Sequence, residues 1–401
     1  MRDDDIAALE RVDQAAFGYT SGDDEPESPF IGAYRGRWGR VALDGDAVVG
    51  GFTAFDLEVA VPGGADLAAP GVTSVAVAPT HHRRGIMREL MTTELARYRE
   101  DGFAVALLTA SEAAIYGRFG FGVATEYRRI EVDTRRAAWL ERPAGVDRLH
   151  MVSGADAAAV VPAMHDAARR RRSGGIRRTD ALTDAYLADP PSRRLGASGR
   201  FYAVHHDETG TPTGVLAWRT RQNWGSSGPH HVAEVEPIAV DDETERTLWA
   251  FAFSLDLVTT VSAVRPVDEW LPWALVDRRA VRTADRGDHL HVRILDLEPL
   301  VAARRFATSG AVAVSVDDPQ FAEVGGSWLV EGGPDGGSAE RTGRDAELRL
   351  GVGALASLLF GAASASALAA AGRLDATSPE ALATADALFA VARAPFCDAH
   401  F

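Results

Sequence analysis

Two short stretches of the chain hold residues whose types and spacing suit chemistry. The first reads Val75-Ala76-Val77-Ala78-Pro79-Thr80-His81-His82-Arg83-Arg84-Gly85-Ile86-Met87-Arg88. A β-branched run enters a turn at Pro79, and beyond Gly85 the apolar residues recur at helical spacing. The first amides of a helix have no internal partners, and the positive end of its dipole faces the turn before it. With Arg83, Arg84 and Arg88 beside them, and Gly85 allowing close backbone approach, those amides suit a phosphate. The turn is neither a Walker A loop, since all 42 basic residues are Arg, nor a dinucleotide GxGxxG. Standing alone, the same pattern also describes a solvated basic helix start.

The second stretch is Ala110-Ser111-Glu112-Ala113-Ala114-Ile115-Tyr116-Gly117-Arg118-Phe119-Gly120-Phe121-Gly122. It follows the next apolar strand, so in a parallel pair it emerges at the same sheet edge as the phosphate turn. A Tyr at that edge is suited to protonating a leaving thiolate. The competing reading of Tyr116 is a packed aromatic with a satisfied hydroxyl.

The elements that must position these stretches are legible from period and punctuation. Ala47 to Phe55 and Gly71 to Val77 read as strands around the turn Val61-Pro62-Gly63-Gly64. Ile86, Met87, Leu90, Met91, Leu95 and Tyr98 share one helical face that ends near Asp101-Gly102. A buried strand, Ala104 to Thr109, a short helix from Ser111 and the strand Tyr127 to Val132 follow. After the linker-like Arg142-Pro143-Ala144-Gly145 the order repeats, with strands Phe201 to His205, Val215 to Arg219 and His231 to Glu236, a helix Leu248 to Leu255 and a strand Val258 to Val264. The last segment opens on a strand His291 to Leu297 and a helix begun by Pro299, with further strands Ala311 to Val316 and Ser327 to Val330. In the uncharged run Leu350 to Gly372, Ala, Gly and Ser predominate, which favours two short, closely packed helices over a membrane span.

Composition narrows the function classes. The chain has 401 residues and a net charge of −15, which suits cationic partners and argues against a general nucleic-acid binder. A lone Cys397 allows no internal disulfide and fits a reducing cytoplasm. The acidic start, Asp3-Asp4-Asp5, is unlike a secretory signal.

The two chemical stretches together resemble the Gcn5-related N-acetyltransferase (GNAT) superfamily and, through the run A-S-E-x-x-I-Y-G-R-F-G, its Eis (enhanced intracellular survival) family. The resemblance implies an α+β fold of tandem GNAT-like domains, each a mixed sheet with flanking helices, plus a C-terminal sterol-carrier-protein-like α/β domain. On the chain these fall at 1–145, 146–288 and 289–401. It implies an N-acetyltransferase using acetyl-CoA on primary amines of a cationic small molecule, aminoglycosides being the familiar acceptors, and a hexameric assembly. By the same resemblance Val75, Ala76 and Val77 pair with the pantetheine, Arg83, Arg84, Gly85, Ile86, Met87 and Arg88 wrap the pyrophosphate, and Ser111 and Glu112 line the channel. Tyr116 is then the general acid, and the carboxylate of Phe401 the proton acceptor, its ring anchoring the tail. The superfamily usually has Gly or Ala where Met87 stands, a departure at the pyrophosphate turn. In the second copy, Val240-Asp241-Asp242-Glu243-Thr244-Glu245-Arg246 replaces the basic turn, and its carboxylates repel a pyrophosphate; that copy reads as structural.

Remaining candidates read as structure. The pairs His81-His82 and His230-His231 lack the spacing of a metal site, and no metal is expected. Arg169 to Arg172, with Arg177 and Arg178, reads as a solvated or interface-paired helix end. The Asp23, Asp24, Glu25 and Glu27 loop reads as solvated, Trp270 and Trp273 as core, and Cys397 as unreactive. Against the enzyme stand two other readings, a sterol- or lipid-binding module and a structural hexamer with a vestigial site.

Overall fold

Strand-forming runs separated by Gly and Pro turns build three larger sheets and a two-stranded ribbon, Trp224–Gly225 with Gly228–Pro229, in this computed structural model, which describes residues 3–20, 38–226 and 228–401. The acidic loop at Asp23 to Glu27 lies outside the described residues. The first sheet has the order Trp38–Asp44, Ala47–Ala60, Asp66–Val77, Val105–Thr109, Leu290–Ile294, Gly122–Val123, with Ile176–Arg177 added beside Ala47–Ala60. The second has the order Val281–Asp288, Glu126–Asp133, Val258–Arg265, His231–Ala239, Pro212–Arg221, Phe201–His206, Leu149–Val152. A five-stranded third sheet is centred on Gly310–Asp317 and carries the C-terminal domain. The fold is therefore α+β, two mixed sheets with flanking helices and a third at the C-terminal end, as expected.

Within the first sheet, Asp66–Val77 and Val105–Thr109 are parallel and joined through the helix Ile86–Glu100, the crossover that a parallel pair requires. That helix buries Leu90, Met91, Leu95 and Tyr98 on the face its period marks. The second sheet repeats the device with His231–Ala239 and Val258–Arg265, also parallel.

The strands cross the segment order. Tyr127 to Val132, grouped by sequence with the first segment, lies in Glu126–Asp133 and pairs antiparallel with Val258–Arg265 of the second sheet. The strand opening the last segment, here Leu290–Ile294, inserts between Val105–Thr109 and Gly122–Val123 of the first. Two compact units result: residues 1–125, 172–182 and 288–401 form one, and 126–171 with 183–287 the other. The core of the first is continuous from Phe52 and Leu107 through Val292 to Leu355 and Phe360 of the C-terminal domain.

Several sequence expectations shift. The helix expected from Leu248 starts at Asp242, because the Asp241 side chain caps it by accepting from the Thr244 N–H at 2.7 Å. The helix expected from Pro299 starts at Leu297, capped by Asp296. Trp270 packs on the second core, but Trp273 is no core residue: it is two-thirds exposed, with the Arg278 guanidinium 3.5 Å from its ring centroid. The uncharged run does form two short helices, Val352–Phe360 and Ala365–Ala370. The first packs on Gly122–Val123 and Leu290–Ile294, the second on the helix Pro379–Phe389. No helix among the described residues is long and apolar enough to cross a membrane.

The arginine run is ion-paired within each unit, with Arg170 and Arg177 still exposed. Arg169 is buried and pairs with Asp166, Arg171 pairs with Asp242 and Glu245, and Arg177 pairs with Glu58. Deeper still, Arg304 donates to the carbonyls of Leu358, Leu359 and Phe389, closing the C-terminal ends of two helices whose dipoles favour a cation there. Burial pushes its pKa down to about 9.

Docking of Val352–Phe360 depends on a backbone approach too close for any side chain. A Cβ on Gly122 would lie 1.8 Å from the Gly353 carbonyl oxygen. Gly122→Ala is therefore predicted to cost about 2–3 kcal/mol, the upper range for overpacking, read from the denaturant midpoint. A wild-type midpoint would show that the helix can move away freely.

Candidate active site

Both chemical stretches leave the C-terminal ends of the parallel pair, so they emerge at one sheet edge. The pairing between these strands is confined to Gly71 with Leu107 and Val72 with Leu108. Beyond Val72 the longer strand runs on to Val77 held from its other side, by Gly50 and Gly51. Val75, Ala76 and Val77 thus lie where the pair has parted. Their backbone edge toward Val105–Thr109 makes no ladder pairing, and it suits an extended ligand that bonds like a strand.

A bulge marks the parting. Ser74 sits at φ +51° and, with Val75, faces the single residue Phe52. The Ser74 hydroxyl hydrogen-bonds the Asp13 carboxylate, which also accepts from the Tyr19 hydroxyl at 2.7 Å. Burial pushes the Asp13 carboxyl up despite those two hydrogen bonds. Nothing in the sequence reading had singled out this group.

Val77 leads to the basic turn. The His82 ring donates from Nε2 to the Val77 carbonyl oxygen at 3.0 Å, while His81 meets Asp44 at 3.1 Å; both histidines are used in shaping the turn. Arg83 takes φ +62° and Gly85 φ +82°, which delivers the chain into the helix with Gly85 as N-cap. The first intrahelical bond runs from the Glu89 N–H to the Gly85 carbonyl, so the amides of Ile86, Met87 and Arg88 have no partner within the helix. A Cβ at Gly85 would meet nothing within 4 Å, which leaves the amides open. Arg83, Arg84 and Arg88 are exposed; Arg84 lies 3.8 Å from Asp44, and neither of the other two has a carboxylate partner among the described residues. The donor set fits a diphosphate. Met87 is half-buried against the first core, which explains how a large residue is accommodated at a position where the superfamily has a small one.

At the neighbouring strand end, Ser111 and Glu112 are exposed and Tyr116 is buried at the end of a one-turn helix. Its ring packs edge to face on Phe121, with centroids 6.1 Å apart. Burial, and then Glu112, push its pKa up to about 12. It is a neutral phenol at physiological pH, with its proton available to a ligand.

The chain's last residues arrive at this same strand end. Phe401 is buried, its ring edge-on to Phe55 with centroids 6.5 Å apart. Its main-chain oxygen accepts from Thr109 Oγ1 at 2.9 Å. Upstream the tail is held by Arg172 donating to the Ala394 oxygen at 2.7 Å, the Phe396 N–H donating to Ser173 O at 2.9 Å, and Arg178 3.4 Å from Asp398. His289 Nε2 meets the Ala399 oxygen at 2.8 Å. Cys397 is buried, with its thiol pushed up to about 12 by burial and next by Asp398, which leaves it inert. Two of the run's arginines, Arg172 and Arg178, therefore hold the tail, a role that spacing alone does not signal; nor does anything in the sequence mark Thr109. No group of three or more potential metal ligands occurs among the described residues.

Thr109→Val keeps the shape and removes the hydroxyl donor. Hydrogen exchange at the last three amides is expected to rise about fivefold, the equivalent of the ~1 kcal/mol typical of one hydrogen bond. Unchanged exchange would show that the upstream anchors hold the tail alone.

Comparison with known proteins agrees with this geometry. Family models described as acetyltransferase (GNAT) domains match residues 1–124 and 174–294, and a sterol carrier protein domain model matches 297–398. An uncharacterised N-acetyltransferase of Streptomyces griseus is 36% identical over 365 residues, covering 89% of this chain and 87% of the relative. The N-acetyltransferase Eis of Mycobacterium tuberculosis is 31% identical over 353 residues, covering 86% of this chain and 84% of the relative. The crystal structure of Eis1 from Mycobacterium abscessus superimposes with a TM-score of 0.89 at 27% identity, covering 100% of this chain and 98% of that one. With the fold, the parted strand pair and these relatives in agreement, the chain belongs to the Eis-like N-acetyltransferases of the GNAT superfamily.

Proposed function

We propose that this N-acetyltransferase carries an acetyl group from acetyl-CoA to a primary amine of a cationic small molecule, of the aminoglycoside or lysine type. The observation that carries the reading is a convergence. The buried Tyr116 lies on the segment that follows Val105–Thr109, and Thr109 at the end of that strand donates to the Phe401 main-chain oxygen, both beside the parted strand pair, which supports this reading. The net charge of −15 favours a cationic acceptor.

Acetyl-CoA supplies an activated thioester. Val75, Ala76 and Val77 hold its pantetheine by backbone pairing, the amides of Gly85 to Arg88 with Arg83, Arg84 and Arg88 hold its diphosphate, and Ser111 and Glu112 line the way between. The acceptor nitrogen bonds to the thioester carbon as the carbon–sulfur bond breaks. Tyr116 gives its proton to the departing sulfur, and the Phe401 carboxylate takes the proton lost from nitrogen, directly or through water. A free α-carboxylate has a pKa of about 3.5, so it is ionised at pH 7 and attracts the ammonium before relaying its proton. The chain is read as a cytoplasmic homohexamer, on the strength of the family resemblance and its single buried cysteine.

A panel of amine acceptors with mass detection of acetylated product tests the activity. Tyr116→Phe is expected to lower kcat by about 10²-fold at nearly unchanged acetyl-CoA affinity; wild-type turnover would remove Tyr116 from the chemistry. Arg84→Ala with Gly85→Asp is expected to weaken acetyl-CoA binding instead. Extending the chain by one Gly after Phe401 keeps the ring and moves the charge, and a large loss of turnover with cofactor affinity intact is expected.

The pH profile follows from the raised tyrosine. An acid whose pKa is raised stays protonated to higher pH, so its loss sets in only as pH approaches about 12. Turnover should rise as the acceptor amine loses its proton and show no fall from Tyr116 up to about pH 10.5. A falling limb near pH 9 at saturating acceptor would assign the acid to another group.

A further inference from the structure

The turn that carries Tyr116 rests on a buried ion pair contributed by two distant parts of the chain. Arg293, on the inserted strand Leu290–Ile294, is fully buried. Its guanidinium donates to Asp318 Oδ1 at 2.9 Å, with Nη1 2.8 Å from Oδ2. Asp318 follows the strand Gly310–Asp317 of the C-terminal domain, and its Oδ1 also accepts from the N–H groups of Gln320 and Phe321 at 3.0 and 3.2 Å. The ring of Phe321 lies 4.8 Å from the Arg293 guanidinium carbon.

The guanidinium also faces Gly120. A Cβ there would lie 2.8 Å from its central carbon and 2.9 Å from Nε and Nη1, so only a glycine lets the turn settle on it. Gly120, at φ +80°, closes the turn by donating its N–H to the Gly117 oxygen at 3.0 Å. The next N–H, that of Phe121, reaches the Tyr116 oxygen at 3.4 Å, and the two rings meet edge to face with centroids 6.1 Å apart. Contacts therefore run without a gap from Asp318 through Arg293 to Gly120, Phe121 and Tyr116.

Stability alone gives little reason for charge here. Replacing a buried ion pair by apolar side chains of similar volume is often neutral or stabilising. What the pair supplies is a planar cation held in place by one hydrogen bond and a second close charge contact to a fully buried carboxylate, a floor of defined height under the turn. We propose that Arg293, clamped by Asp318 of the C-terminal domain, is a positioning residue for the acetyl transfer, setting the Tyr116 hydroxyl through Gly120 and Phe121. Through Asp318 the C-terminal domain thereby bears on turnover at a residue that itself touches no substrate. This rests on Tyr116 being the general acid.

The test pairs Arg293→Met with Asp318→Asn, in the wild-type and in the Tyr116→Phe backgrounds. Made together, the two substitutions leave no lone buried charge, and Asn keeps an oxygen for the Gln320 and Phe321 amides. In the wild-type background kcat should fall about 10-fold or more, the scale of a sub-ångström to ångström misplacement, with acetyl-CoA affinity by calorimetry and acceptor KM within about twofold. In the Tyr116→Phe background the same substitutions should change kcat by less than about twofold, because the group they position is already gone. A full loss repeated in that background, or a lowered Tm with wild-type kcat, overturns the positioning role while leaving the general acid in place. A Tyr116→Phe enzyme with wild-type kcat instead refutes the general-acid reading, and this inference with it. Should the paired variant fail to fold, Arg293→Lys, which keeps the charge and loses the plane, is read by the same two-background comparison.

Discussion

The structure depends on one insertion, that of Leu290–Ile294 between Val105–Thr109 and Gly122–Val123. A parallel strand matched to its neighbour over two residue pairs is weakly held by that neighbour alone. The inserted strand pairs along the whole of Val105–Thr109, from Leu290 with Thr109 to Ile294 with Val105. That pairing leaves the other flank free to part without loss of the strand. The opening beside Val75 to Val77 therefore exists because a segment from far along the chain secures the opposite side. The same insertion brings Val292 into the continuous core and carries Arg293 under the Tyr116 turn.

The central copy shows the same architecture without the basic turn. It has the parallel pair, the crossover helix and a strand received from another segment, here Glu126–Asp133 beside Val258–Arg265. At the position of the basic turn, however, the Asp241 side chain caps the helix. Asp242 and Glu245 are turned into ion pairs with Arg171, and Glu245 also pairs with the buried Arg265 beside Glu269. A carboxylate already fills the place that an anion would take, and the helix dipole is spent on it. Self-repulsion among the acidic residues is relieved by arginines of the same unit, so the negative run is a structural network and not a solvated face.

What was legible in the sequence is what short-range physics encodes. The helical face from Ile86 to Tyr98, the glycine entry at Gly85 and the strands on either side follow from period and punctuation, and each is found within a few residues of its expected place. Partner choice is a different matter. Tyr127 to Val132 alternates as a strand should in either sheet, and no local property says which neighbour it will take. The arginines from 169 to 178 look like a solvated stretch because their partners, among them Ala394 and Asp398, lie more than 200 residues away. Trp273 fails for the opposite reason, since an aromatic beside Pro looks like core unless one knows that Arg278 covers it. Residue types told what chemistry was available; only the pairings told where it is assembled.

The cost of such an arrangement falls on folding. Thr109 and Phe401 are 292 residues apart in sequence, and Arg172 and Ala394 are 222 apart, so the anchors of the tail close very long loops. Loop-closure entropy grows only logarithmically with length, which makes these contacts tolerable in equilibrium, while non-local pairing slows the search for them. The basic turn is made from contiguous sequence and has no need to wait. The Tyr116 turn and the tail do, because their supports come from Leu290–Ile294, from Asp318 and from the segment at Arg172 to Arg178. A chain that has not completed its C-terminal domain thus holds the basic turn but neither the Arg293–Asp318 pair under the Tyr116 turn nor the seat of Phe401.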